Sequence, residues 1–92
     1  MTRAPHSSDS ASIVRWVFIR GSRALTCEVR VDAGGTFDVC VVPLWDVSEA
    51  VIESYDRASD AMRRHAGLAA AFRQAGWVVA RQSTARATEV AA

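Results

Sequence analysis

The chain has no lysine, only two cysteines, and no apolar run near the roughly 20 residues that a membrane-spanning helix needs. Each shortage removes a class of protein. A transmembrane protein is not expected. Cys27 and Cys40 are too few for the disulfide framework of a small secreted domain, and in a reducing compartment they are expected to be free thiols. No CxxC or HxxxH spacing is present, so the four residues Cys27, Cys40, His65 and His6 do not read as a metal site. GxGxxG, a Walker A loop and a nucleophile elbow are all missing. Gly34-Gly35 has no helix behind it and cannot cradle a phosphate. These absences argue against an enzyme, and no cofactor is expected.

All positive charge comes from arginine. Eleven basic residues face ten acidic ones, and the net charge of +1 gives no global field for nucleic acid or membrane. Arginine is the better fork for phosphate. Its use here accompanies heavy use of Ala and Val, which reads as compositional bias.

What the sequence does have is organised around residues 57–75. Met62, His65, Ala69 and Phe72 recur at helical spacing, with Ala58, Ala61 and Leu68 widening the stripe and Arg57, Asp60, Arg64, Gly67 and Gln74 largely opposite. Asp56 is the expected N-cap, and Asp60 stands three and four residues before Arg63 and Arg64. Gly76 suits the left-handed position that closes a helix. In that register Phe72 and Trp77 are the pair that meets in a Schellman motif.

Three strand-like stretches come first, at 13–20, 24–32 and 36–43, rich in β-branched and aromatic residues and separated by glycine-containing turns. A two-residue loop at Gly21-Ser22 sets Phe18 opposite Leu25, Trp16 opposite Cys27 and Val14 opposite Val29. A three-residue loop at Ala33-Gly34-Gly35 sets Val31 opposite Phe37, Val29 opposite Val39 and Cys27 opposite Val41. In both hairpins core faces core. The same registers oppose Arg15 to Glu28 and Arg30 to Asp38 on the other face, and a one-residue slip would lose both pairs. Residues 50–55 read either as a fourth strand or as a short helical turn. Residues 77–80 read as a brief last strand or a packed tail.

The expected fold is therefore α+β, a three- to four-stranded antiparallel meander with one C-terminal amphipathic helix packed on one face. Residues 1–12, which lack the apolar stretch of a signal peptide, are expected to be a disordered tail. Residues 13–82 are expected to form the domain and 83–92 a flexible tail. The expected location is cytoplasmic.

Three sets of residues invite functional readings. His65 lies on the apolar stripe and Cys27 on the same inner face. A catalytic dyad is geometrically conceivable, but a packed histidine and an inert core thiol are the commoner outcome. Arg20, Arg23, Arg63 and Arg64 are candidate anion or nucleic-acid contacts, although the strand aromatics fall on the helix-covered face and leave no stacking platform outside. The third set is Ile13, Val17, Ile19, Cys40 and Val42, which alternate away from the helix. A sheet with one solvated face should be more polar there. These five are the candidate interface of a non-enzymatic interaction module, expected to self-associate as a homodimer. A heterologous protein partner would use the same face, and the alternative is a small nucleic-acid-binding or regulatory protein.

Overall fold

The computed structural model describes residues 10–84. Its elements are β1 (Ser10–Arg20), β2 (Arg23–Asp32), β3 (Phe37–Pro43), a 3-10 turn (Val47–Glu49), β4 (Val51–Tyr55), α1 (Ala58–Gln74) and β5 (Val78–Thr84). The strands form one antiparallel sheet in the order β4-β3-β2-β1-β5, with α1 packed on one face. Among the described residues the class is α+β with a single helix, as the sequence implies, but the sheet has five strands rather than three or four.

Both hairpin registers are those expected. Phe18 faces Leu25, Trp16 faces Cys27, and Val14 faces Val29; across the second hairpin Val31 faces Phe37, Val29 faces Val39 and Cys27 faces Val41. Gly21 takes φ 62° in the two-residue loop, a value that L side chains rarely adopt. The second loop is held by Asp32, whose carboxylate accepts from the Gly34 and Thr36 amides at 2.9 and 3.1 Å and from the Thr36 hydroxyl. These bonds keep the Asp32 carboxyl below the ordinary carboxylate range.

The additional strands come from the two ambiguous segments. β4 pairs with β3, setting Phe37 against Tyr55, Val39 against Glu53 and Val41 against Val51. Its faces are hard to read in sequence because an acidic residue, Glu53, points to the helix side. β5 pairs with β1 and runs to Thr84, beyond the apolar 77–80 stretch, because backbone bonding to β1 carries a polar segment that alternation alone would not nominate. β1 likewise begins at Ser10, inside the segment expected to be a tail. Residues 1–9 and 85–92, which hold the rest of both expected tails, lie outside the described residues.

The helix closes as its sequence implies. Gly76 has φ 98°, Trp77 N–H donates to Phe72 O at 2.9 Å and Gly76 N–H to Arg73 O at 3.1 Å. These are the two bonds of a Schellman motif. The Phe72 and Trp77 rings meet at 6.5 Å. Its start differs. The N-cap is Arg57, with no side-chain cap bond, so Asp56 lies one residue too early to cap. The buried stripe is also turned. Ala61, His65 and Ala69 are buried, Leu68 and Phe72 half-buried, whereas Met62 is 38% exposed. Small alanines let the helix axis approach the sheet closely, and the longer Met62 is left at the margin.

The core is two abutting clusters. One joins Phe18, Leu25, Cys27, Ala69 and Trp77; the other joins Val14, Val29, Val39 and Ala61. Trp16 and Leu68 touch both. This is the inner face of the sheet.

Candidate interaction surface

The outer face follows from the registers. β4 contributes Ile52 and Ser54, β3 Asp38, Cys40 and Val42, β2 Ala24, Thr26, Glu28 and Arg30, β1 Arg15, Val17 and Ile19, and β5 Val78 and Arg81. Nearest the Gly21-Ser22 turn, one row joins Ala24, Ile19 and Val78 and the next joins Val42, Thr26 and Val17 and ends at Arg81; beyond them one row joins Ile52 and Cys40 to Glu28 and Arg15, and the last holds Ser54, Asp38 and Arg30. Val17, Ile19, Cys40 and Val42 all lie on this face. Cys40 is buried, while Ile19, Ile52 and Val78 are 43, 62 and 66% exposed. Ile13 does not join them. The register between β1 and β2 shifts between Ser12 and Val14, making Ile13 the extra residue of a bulge, and its side chain packs against the inner cluster. Strict alternation in the sequence hides that shift. Ile52 and Val78 belong to the face and were not foreseen, because the pairing of β4 and β5 was not fixed by pattern.

Of the two charge pairs expected here, both sets of residues are opposite each other, but Arg30 reaches along its own strand to Glu28 at 3.3 Å. Asp38 accepts instead from the Ser54 hydroxyl of β4 at 2.7 Å.

The four candidate anion contacts do not form one patch. Arg20 and Arg23 flank the first turn on the inner side, where they lie over indoles. The Arg20 guanidinium is 4.9 Å from the Trp77 ring and donates to Ala75 O at the end of α1, 2.9 Å away. The Arg23 guanidinium is 4.7 Å from the Trp45 ring, and Trp45 stacks on Trp77 with the rings 11° from parallel. These contacts roof the open end of the core. Trp45 belongs to none of the strand-like stretches or the helix read from sequence, and nothing in its spacing announces the stack. Arg63 and Arg64 stand on the first half of α1, each beside a carboxylate. Arg63 pairs with Asp60 at 3.3 Å, and Arg64 makes two bonds to Glu53, at 2.8 and 3.2 Å. Tyr55 O–H also donates to Glu53, at 2.9 Å. Arg64 and then Tyr55 hold the Glu53 carboxyl below its usual range.

His65 and Cys27 are together without forming a dyad. The imidazole Nε2 lies 3.1 Å from the Cys27 carbonyl oxygen, to which it can donate, and the ring meets Trp16 edge-on. Burial lowers the His65 pKa, partly offset by that bond. Burial pushes the Cys27 thiol up to about 12, the nearby Cys40 adding to the rise. A thiol so poorly ionised is a weak nucleophile. Cys27 and Cys40 are both free and point to opposite faces of the sheet. Among the described residues, no three His, Cys, Asp or Glu side chains gather as a metal cluster would, and no helix is long and apolar enough to cross a membrane. His6 lies outside the described residues.

The arrangement therefore defines a two-layer α+β domain with an apolar band on the sheet face opposite its helix. Comparison with protein-family models, with curated proteins and with solved structures finds no match to this chain.

Proposed function

We propose that the protein is a small non-enzymatic interaction module that self-associates as a homodimer, outer face to outer face. The observation that carries this reading is a diagonal of apolar residues, Ile52, Cys40, Val42, Val17, Ile19 and Val78, which crosses β2 at Thr26 and Ala24. Strands about 4.8 Å apart and about 27 Å long on average give a face on the order of 650 Å² in projection. That approaches the ~800 Å² per partner of a standard interface. Arg15, Glu28, Arg30 and Asp38 lie to one side of this diagonal and suit its rim.

Face packing is also favoured because both sheet edges are guarded. β4 has only five residues and Glu53 at its centre, and β5 is bulged at Ala80 with Arg81 at its centre. Isologous antiparallel pairing about either centre would set Glu53 against Glu53 or Arg81 against Arg81, which repel. A cytoplasmic setting suits the two unpaired thiols.

The test is solution mass by light scattering at micromolar concentration. The wild type should have the mass of a dimer, and Val17→Glu that of a monomer with an unchanged far-ultraviolet circular dichroism spectrum. A monomeric wild type, or a variant that keeps the dimer mass, removes the reading. The alternative, a nucleic-acid surface built on Arg20, Arg23, Arg63 and Arg64, has less support because those residues divide between two regions. Salt-sensitive binding of a single-stranded probe would restore it.

A further inference from the structure

One helix about 10 Å across cannot cover a sheet about 24 Å wide. Here α1 settles over the middle strands through its buried alanines, Ala61 and Ala69, and the inner face of β4 is left partly open. Val51, which faces inward from β4, is 54% exposed. The result is a cleft of about 190 Å³ between α1 and the edge strand. Its walls are Val39, Val41 and Val51 from the sheet and Leu68 and Phe72 from the helix. Glu53 and Arg64 are its polar residues, and Arg64 also borders an adjoining depression beside Arg63 and Tyr55.

The size and lining limit what fits. An apolar cavity of about 150 Å³ accepts a benzene ring, so this cleft has room for one aromatic ring or a short chain of similar bulk. The unused hydrogen-bonding capacity at its mouth belongs to a cation. Glu53 already accepts three bonds, two from Arg64 and one from Tyr55. Arg64 has five N–H groups and commits two of them to Glu53, leaving terminal donors for an acceptor. A planar carboxylate matches a guanidinium edge better than a single acceptor does.

We propose that this cleft binds a small carboxylate whose apolar body is about one aromatic ring, the body lying against Val51, Leu68 and Phe72 and the carboxylate meeting Arg64. The site faces away from the outer sheet surface, so it stands whether the chain is a monomer or a dimer.

The probe is phenylacetate, with phenylacetamide as its uncharged counterpart, titrated into the full chain and followed by amide NMR shifts. A ligand of this size should bind with a dissociation constant of roughly 1–5 mM. The largest shifts should fall at Val41, Val51, Leu68 and Phe72. Arg64→Gln should weaken phenylacetate about tenfold and leave phenylacetamide unchanged. Val51→Trp, at an exposed edge position that tolerates a larger side chain, should abolish binding of both by filling the cleft. The proposal is overturned if the amide binds as tightly as the carboxylate, if Arg64→Gln binds like wild type, if shifts concentrate at Ile19, Ile52 and Val78, or if no saturable shift occurs.

Discussion

The two faces of the sheet are made from the same strands, often from adjacent residues, and they end in different circumstances. Phe18 is fully buried and its neighbour Ile19 is 43% exposed. Val79 is half-buried against the inner cluster, while its neighbour Val78 is 66% exposed. Apolar character is thus present on both faces, but among the described residues only the inner one is covered by a complementary surface. That separates two uses of a hydrophobic side chain. Against α1 it contributes to folding; on the other side, in the proposed reading, it meets a second molecule.

The sharpest way to break this contrast is to truncate neighbours across it. Phe18→Ala should lose about 3–5 kcal/mol in chemical denaturation, the usual cost of emptying a core aromatic site. Ile19→Ala should lose less than about 0.5 kcal/mol, if both are measured in the Val17→Glu background so that assembly does not contribute. Similar losses for the two would mean that the outer face is structural after all.

A smaller effect should distinguish the inner face by pH. Burial lowers the His65 pKa from its ordinary 6.5, so the unfolded chain takes up a proton that the folded chain resists. Stability from this source is therefore complete above the unfolded value. It declines as pH falls through about 6.5 toward the lowered folded value. His65→Gln, which can still donate to the Cys27 carbonyl, should flatten the dependence of denaturation midpoint on pH between 7 and 5. An unchanged slope would exclude His65 as its source.

The smallest perturbation uses the two thiols as reporters. Cys27 should react with a thiol reagent only at the rate of global opening. Cys40, already only 7% exposed in the single chain, should react faster than Cys27 and somewhat faster again in Val17→Glu, with Cys27 unaffected. Equal acceleration of both would show that the substitution loosens the fold instead of separating two copies.

The parts of this architecture that were legible in sequence are those set by local rules. Gly21-Ser22 fixes a loop length, that length fixes a register, and the register fixes which of Trp16 and Val17 meets the helix. Gly76 and Trp77 declare the helix end in the same way. The edge strands were less legible because their placement depends on distant partners. β5 is mostly polar and gains its place by bonding to β1, more than 50 residues away. In β4, inward-facing Glu53 breaks the alternation but finds Arg64 on the helix. The face proposed for association was therefore visible at its centre and not at its margins, where Ile52 and Val78 extend it. Ile13 was misplaced because a bulge inserts a residue without any signature in composition. The cleft beside Arg64 was invisible, since it arises from a mismatch in width between two layers and not from any motif.

The pairing of β5 with β1 has a consequence for how the protein is made. During synthesis the first four strands can assemble as a meander of neighbouring hairpins, but β1 must wait as an open edge until the last strand emerges. For that interval the backbone of the segment carrying Trp16, Phe18 and Ile19 is an unsatisfied template for any extended chain nearby. The nascent protein is therefore most vulnerable to misassembly in the interval before β5 docks, and the step that ends the exposure is the docking of its most polar strand.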